Sequence, residues 1–157
     1  MFDLPFVGID DVFAMRELTM KLVRDVTSGD ILYYAPILQK KDLNTTNAQR
    51  LRLNGFIQAM TSLGKKYHIV TTPEDISDFG GIICSTDYYA IQVLQYLGYP
   101  KDIMIAGFDN ISLLKHLHTK VLTVDYSTDQ IAKECIRYIL GNRYTSKIEH
   151  RLVYNTD

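Results

Sequence analysis

Short apolar runs alternate with longer amphipathic stretches from one end of this chain to the other. A short, unbroken apolar run is typical of a buried strand, whereas apolar residues spaced three and four apart are typical of a helix. The runs predict seven strands, at residues 7–9, 31–35, 67–71, 82–84, 103–106, 121–124 and 151–154. Between the third and fourth of these, the segment 73–81 predicts a turn-rich loop.

The amphipathic stretches predict four helices, and residues that favour helix ends mark their boundaries. Asp10 or Asp11 can cap the first helix, which continues to about Val26. Glycines at positions 64, 98 and 141 end the other three. Strands that alternate with helices in this way predict an α/β fold, in which a parallel sheet is flanked by helices in three layers.

In such sheets ligands bind in the crevice beyond the carboxyl ends of the strands. The residues that follow each predicted strand are therefore the candidates for a binding site. Three segments carry polar side chains at such positions, namely 46–52, 85–87 and 125–127.

Composition excludes several classes of function. The chain has 157 residues, enough for one packed core, and no apolar run long enough for a membrane span. Its formal net charge of −1 gives no basic surface for nucleic acid. The first residues lack the basic start and long apolar stretch of a secretory signal, so we expect a cytoplasmic protein with no membrane partner.

Catalytic and metal-binding patterns are missing from the sequence. Cys84 and Cys135 lie in apolar stretches without a CxxC spacing, which predicts two buried, reduced thiols. The four histidines are scattered, so we expect no metal. There is no GxSxG, GxxxxGK or GxGxxG motif, and we expect neither a cofactor nor enzymatic activity.

Five short motifs in a fixed order, with a sixth upstream of them, resemble the pattern of a known family. Arg52-Leu53-Asn54-Gly55-Phe56 precedes Ser85-Thr86-Asp87-Tyr88-Tyr89-Ala90 and a glycine-ended helix. Asp102-Ile103, then Gly107-Phe108-Asp109-Asn110 and Leu122-Thr123, follow in turn. Upstream, Ile9-Asp10-Asp11 fits the same pattern. The sequence resembles the effector-binding domain of LacI/GalR transcriptional regulators over nearly its whole length.

This resemblance implies a periplasmic-binding-protein-like type I fold, of which the chain is mainly the C-terminal lobe. Residues of about 10–125 and 148–157 would form that lobe, and the helix at 127–141 would belong to a largely missing N-terminal lobe. The DNA-binding helix-turn-helix is absent, so operator DNA would be a partner only of the longer protein. The implied function is to bind a small-molecule effector, such as a sugar, and to form a homodimer. The alternative is a sugar-binding protein of a periplasmic-type transport system.

Four residues are implied as ligand contacts. Asp87 would accept hydrogen bonds from sugar hydroxyls, although an aspartate there could also cap its helix. Arg52 would hold ring and hydroxyl oxygens with its planar fork of donors, unless it pairs with a carboxylate at the surface. Thr46 would offer a hydroxyl from the loop before that helix. Tyr126 would stack on the ligand or fill the crevice between the lobes.

Two further expectations follow. Asp109 is expected to accept backbone hydrogen bonds at a turn rather than act in catalysis. The apolar face of the helix at 127–141 is expected to lack its native partner and to pack on a second copy or cover the sheet non-natively. That face consists of Ile131, Cys135, Ile136, Ile139 and Leu140. A sugar, a sugar phosphate and a purine-like corepressor all remain compatible with an Asp–Arg pair.

Overall fold

The computed structural model describes residues 6–36, 47–76, 79–141 and 146–156. Within these ranges the helices are α1 (Asp11–Asp25), α2 (Asn47–Leu63), α3 (Asp87–Tyr96) and α4 (Thr128–Ile139). The strands are β1 (Val7–Gly8), β2 (Asp30–Tyr34), β3 (Tyr67–Val70), β4 (Phe79–Cys84), β5 (Met104–Ala106), β6 (Val121–Tyr126), β7 (Ser146–Lys147) and β8 (His150–Tyr154). Short 3-10 turns lie at Pro73–Asp75 and Ser112–His116.

Six strands form one sheet in the order β3-β2-β4-β5-β6-β8. All neighbouring pairs are parallel except β6 and β8, which are antiparallel. The predicted α/β fold, a mainly parallel sheet flanked by helices, is confirmed. The direction of the last strand was not predicted, because an apolar pattern carries no information on strand polarity.

The two faces of the sheet are covered by different helices, because side chains alternate along each strand. On β2, Ile31 and Tyr33 face a core with α1 and α2, whereas Leu32 and Tyr34 face a second core with α3. The first core includes Met15, Leu18, Leu22, Phe56 and Met60, and the second includes Ala90, Ile91, Val93 and Leu94.

The structure corrects the expected loop at 73–81, because β4 already begins at Phe79. Gly80 and Gly81 belong to this strand, and a side chain on Gly80 would overlap the carbonyl oxygen of Ser28. Gly80 therefore permits a close approach of another backbone segment to the strand. In the sequence, a glycine with this role is easily mistaken for a turn signal.

A second, two-stranded sheet lies apart from the main one, where β1 pairs in parallel with β7. The prediction for Val7–Gly8 as a strand is therefore confirmed, but its partner is Ser146–Lys147 rather than a strand of the large sheet. Helix α4 contacts β1, so β1, β7 and α4 form a small unit beside the main sheet.

The apolar face of α4 is largely uncovered in the chain. Ile136, Ile139 and Leu140 are 57%, 79% and 77% exposed, whereas Ile131 packs against the first core.

Cys84 is buried and Cys135 is exposed, so the expectation of two buried thiols is wrong for Cys135. Both thiols are free. Among the described helices, none combines the length and the apolar character that a membrane crossing requires.

Candidate functional site

Residues from four elements meet at the carboxyl ends of the parallel strands. Arg52 lies in the second turn of α2, and Asp11 is the first residue of α1. Asp109 follows β5, and Tyr126 ends β6. The arrangement brings together side chains that are up to 115 positions apart in the sequence, which places the candidate site at the edge predicted for ligand binding.

Arg52 is the centre of this group. Its guanidinium is buried, and its Nε donates to Asp11 Oδ1 at 2.7 Å. One terminal nitrogen donates to Asp109 Oδ1 at 2.9 Å, and the other donates to Ser85 O at 3.0 Å and to Asp109 Oδ2 at 3.3 Å. The guanidinium plane also lies over the Phe108 ring, 3.7 Å from its centroid. Such a two-point pair on an aromatic face fixes the orientation of the arginine.

Asp109 occupies an unusual backbone conformation that places its carboxylate in this group. Its φ is 100° and that of Asn110 is 46°, both in the left-handed region that non-glycine residues rarely adopt. The Asp109 carboxylate accepts from Arg52 and, at 3.1 Å, from the Tyr126 hydroxyl. Burial and the negative charge of Asp109 raise the pKa of Tyr126 to about 12, so this hydroxyl keeps its proton.

The expected role of Asp109 as a backbone acceptor is therefore corrected, since its carboxylate accepts from the side chains of Arg52 and Tyr126. The backbone of its turn is held by other groups instead. Asn110 N–H donates to Thr123 Oγ1 at 3.2 Å, and Ile111 N–H donates to Asp87 Oδ2 at 3.0 Å. Side chains outside the turn thus support the strained segment and leave the Asp109 carboxylate for Arg52.

Asp87 lies beneath this turn and is fully buried. Its Oδ1 accepts from Thr123 Oγ1 at 2.7 Å, and its own N–H donates to Phe108 O at 2.9 Å. A side chain on Gly107 would overlap the Asp87 carboxyl group. Burial raises the pKa of Asp87 to about 7, although the Thr123 and Ile111 hydrogen bonds favour the ionised form. Thr86, not Asp87, is the residue that caps α3.

Sequence comparison assigns the family. The sequence profile that describes the periplasmic binding protein-like domain matches residues 29–153, more than half of the chain. The chain belongs to the periplasmic binding protein-like domain family. None of the curated proteins matches the sequence.

Solved structures share the fold of this periplasmic binding protein-like domain at low sequence identity. A periplasmic solute-binding protein of an ABC transporter from Actinobacillus succinogenes, with bound D-allose, superposes with a TM-score of 0.74 at 14% identity. A LacI family transcriptional regulator from Enterococcus faecium, with bound ribose, superposes with a TM-score of 0.71 at 19% identity. A LacI-type regulator from Bifidobacterium animalis gives 0.70 at 22%.

The domain spans only part of these structures. It covers 62%, 62% and 64% of the three chains, while 97%, 92% and 92% of its own length is matched. The shared fold therefore includes nearly all of this chain and about three fifths of each relative.

The four residues predicted as ligand contacts are placed differently. Arg52 and Tyr126 lie at the candidate site, and Arg52 contacts the carbonyl oxygen of Ser85, two residues before Asp87. Asp87 is at the same edge but has no exposed surface, so its direct contact with a ligand stays a prediction. Thr46 lies outside the described residues.

Two members of the group were missed by sequence reasoning, namely Asp11 and Asp109. Both follow a strand directly or at a short distance, which is the signal that selected the other candidates. The sequence offered Asp10 and Asp11 as alternative helix caps, and Asp10 takes that role by accepting from Phe13 N–H at 3.0 Å. This leaves the Asp11 carboxylate for Arg52.

A shallow cleft of about 410 Å³ adjoins the group at the Tyr126 side. Its lining includes Asp125, Ser127 and Arg151, where the chain passes between the two sheets. Asp125 accepts from Asn110 Nδ2 at 3.0 Å and from Arg151 Nε at 2.6 Å.

Within the part of the chain that the structure describes, no three histidine, cysteine or acidic side chains are grouped to hold a metal ion. The arrangement is suited to binding by hydrogen bonds.

Proposed function

We propose that this domain binds a sugar effector in a LacI-type transcriptional regulator. The observation that carries the proposal is the pair between the buried Arg52 guanidinium and the partly exposed Asp109 carboxylate, with the guanidinium held on the Phe108 ring at the carboxyl edge of the sheet. Support also comes from the family assignment, from the ordered motifs that resemble these regulators, and from neighbours solved with ribose and D-allose.

The free hydrogen-bonding capacity of the group favours a polyhydroxylated ligand. A guanidinium has five N–H donors, and the described contacts of Arg52 use four of them. Asp11 Oδ2 has no described partner, and Asp109 offers its carboxylate at the edge of the site. Neighbouring hydroxyls of a sugar can donate to the carboxylates while they accept from the remaining N–H.

The charge of the group favours a neutral ligand over an anionic one. Two carboxylates, Asp11 and Asp109, surround a single guanidinium, which leaves one excess negative charge at the site. A phosphate or carboxylate on the ligand would be repelled there, and the repulsion is strong where water is excluded. Among the ligands compatible with the sequence, a neutral sugar therefore fits better than a sugar phosphate.

We propose that Asp87 and Asp109 have different roles. Asp109 contacts the ligand, and Asp87 positions Asp109 by holding Ile111 N–H and the Thr123 hydroxyl. Tyr126 closes the side of the site and donates to Asp109. Thr46 stays a candidate for a further hydroxyl contact.

The regulatory output would come from a longer protein. A sugar held between this lobe and a second one would change their relative angle, with a coupling of about 1–3 kcal/mol to operator binding. We propose a cytoplasmic homodimer that contacts DNA through a separate head domain.

The similarity to the ABC transporter protein supports a second candidate, a sugar-binding protein of a transport system. A helix-turn-helix encoded before residue 1 favours the regulator, and an export signal there favours transport.

Binding of neutral sugars tests the proposal. Ribose, D-allose and other neutral monosaccharides, with their phosphate esters, are titrated against the protein by calorimetry. We expect saturable binding of at least one neutral sugar, a loss of about tenfold or more in Asp109→Asn and Tyr126→Phe, and little change in Asp30→Asn. Asp30 is a carboxylate at the opposite edge of the sheet and serves as the matched control. Tighter binding of a phosphate ester, or unchanged binding in both site variants, would contradict the proposal.

A further inference from the structure

A second cleft lies at the opposite edge of the main sheet, where β5 and β6 begin. It encloses about 580 Å³, a size typical of small-molecule sites. Ile103, Met104 and Ile105 contribute apolar surface, and the rings of Tyr99 and Tyr154 line it as well. The Arg52 group lies at the carboxyl ends of the same strands, so the two sites are separated by the length of the sheet.

Basic side chains line this cleft. Lys101, His118 and Lys120 all belong to its lining, and none of the described residues that line it carries a carboxylate. Neither lysine forms an ion pair with any described residue. Lys120 Nζ lies 3.8 Å from the centroid of the Tyr154 ring, a cation–π contact that holds the ammonium group without neutralising its charge.

Two neighbouring acidic residues, Asp25 and Asp102, line a different recess. Asp25 accepts from the Tyr154 hydroxyl at 2.9 Å and pairs with Lys21 at 3.3 Å. The recess that they line lies on the other side of Ile103 and Met104. Neither of these two carboxylates pairs with Lys101 or Lys120, so neither of them cancels the positive charge of the cleft.

The walls of the cleft are held in place by the fold. Tyr99 has a φ of 60°, directly after Gly98 with a φ of 68°, and its N–H donates to Leu94 O at 2.9 Å. An aromatic residue seldom adopts the left-handed region, and such conformations concentrate at binding sites. On the other side, the hydrogen bond to Asp25 fixes the Tyr154 ring. A cleft with fixed walls loses little conformational freedom when a ligand binds.

We propose that this cleft binds a small organic anion with a flat apolar body, of which an aromatic carboxylate is the simplest example. The carboxylate faces the Lys101 and Lys120 ammonium groups, and the ring lies against Ile103 and Met104. A neutral sugar suits this site poorly because the surface of the cleft is mainly apolar. A cation would be repelled by the two lysines. The inference is independent of the sugar site at the Arg52 group.

Amide NMR of the labelled protein with naphthalene-2-carboxylate as the probe tests this inference. We expect saturable shifts at residues 99–105, 118–121 and 154. The neutral naphthalene-2-carboxamide is expected to bind about tenfold more weakly, because it lacks the charge that the lysines recognise. The double variant Lys101→Gln/Lys120→Gln is expected to weaken the carboxylate by a similar factor.

Lys65→Gln/Lys66→Gln is the matched control. These exposed lysines directly precede β3, so they lie where a strand begins, as the cleft does, but β3 is the outermost strand on the other side of the sheet. This control is expected to bind the probe like the original protein, and the amide spectra themselves report whether each variant is folded. The inference is overturned by shifts confined to the exposed face of α4, by shifts that do not saturate, or by equal affinity of the carboxamide. It is also overturned if the Lys101→Gln/Lys120→Gln variant binds the carboxylate unchanged.

Discussion

The Arg52 guanidinium and the Asp109 carboxylate form a two-point ion pair, with nitrogen–oxygen distances of 2.9 and 3.3 Å. The two residues are 57 positions apart and come from a helix and from the turn after a central strand. This pair connects the stability of the sheet edge to the proposed binding site, and several predictions rest on it.

Removal of the Arg52 guanidinium is expected to destabilise the fold. Arg52→Met leaves the Asp11 and Asp109 carboxylates without their cation in a largely buried setting. Loss of one partner from a buried pair leaves an uncompensated charge, and we expect a decrease of about 3 kcal/mol in the free energy of unfolding by urea. The control is Arg151→Met, whose exposed pair with Asp125 is expected to contribute less than about 1 kcal/mol. Equal effects of the two substitutions would show that Arg52 is not held in a buried network.

Asp87 is expected to make stability depend on pH. Its pKa is about 7 in the folded state because of burial, whereas the ordinary value is 3.8. Between these two values the folded state retains a proton that the unfolded state has lost, so stability falls as the pH rises from about 4 to about 7 and is level above it. The full effect is at most roughly 4 kcal/mol.

Urea unfolding of the original protein and of Asp87→Asn measures this effect. The difference between the two is expected to shift in favour of Asp87→Asn as the pH rises from 5 to 8. Asp10, Asp25 and Asp125 have lowered pKa values and lose their stabilising effect at acid pH, but both proteins share them. A difference that stays constant across this pH range would mean that Asp87 titrates normally.

Gly107 is expected to be required for the position of Asp87. A methyl group there would overlap the Asp87 carboxyl group, so Gly107→Ala should lower stability by about 2 kcal/mol and displace the turn that carries Asp109. Sugar binding should be lost with it. Gly64→Ala is the control: its φ is 60° with open space around it, and it should cost about 1 kcal/mol and leave binding intact. Retained sugar binding in Gly107→Ala would argue against a positioning role for Asp87.

The exposed face of α4 is expected to associate with another copy of the chain. Ile139 and Leu140 together present an apolar surface that isolated soluble domains seldom leave in water. Ile139→Glu/Leu140→Glu should shift the protein from dimer to monomer in sedimentation velocity, and Leu113→Glu, at an exposed site on the 3-10 turn, should not. A monomer at all concentrations before any substitution would contradict this prediction.

Local pattern was sufficient for most of the elements. The helix ends at Gly64, Gly98 and Gly141 agree with the structure, and each of these glycines has a positive φ. The apolar runs at β2, β5 and β6 agree as well, since a buried strand must be apolar on both faces. The start of β4 was missed because Gly80 and Gly81 resemble a turn signal, although Gly80 admits the backbone of Ser28 and Gly81 admits the side chain of Leu22.

The site was predicted only in part. The rule that ligands bind beyond the carboxyl ends of parallel strands led to Arg52 and Tyr126, and the structure places both there. The same rule also applied to Asp109 and Asp11, but both residues have an equally good local explanation as a turn or a cap. A local explanation cannot be rejected without knowing which groups from distant parts of the chain surround the side chain.

The sequence by itself determined the alternation of strands and helices, and its apolar spacing determined which face of each helix would be available for a core. Only the tertiary structure decided which aspartate is buried and which faces the binding edge. Asp87 is buried because Thr123, 36 positions later, and Ile111, 24 positions later, satisfy its oxygens. Asp109 meets Arg52 because a left-handed turn and a neighbouring helix converge at one point. The role of a carboxylate depends on its partners and its solvation, and both are fixed by contacts between residues far apart in the chain.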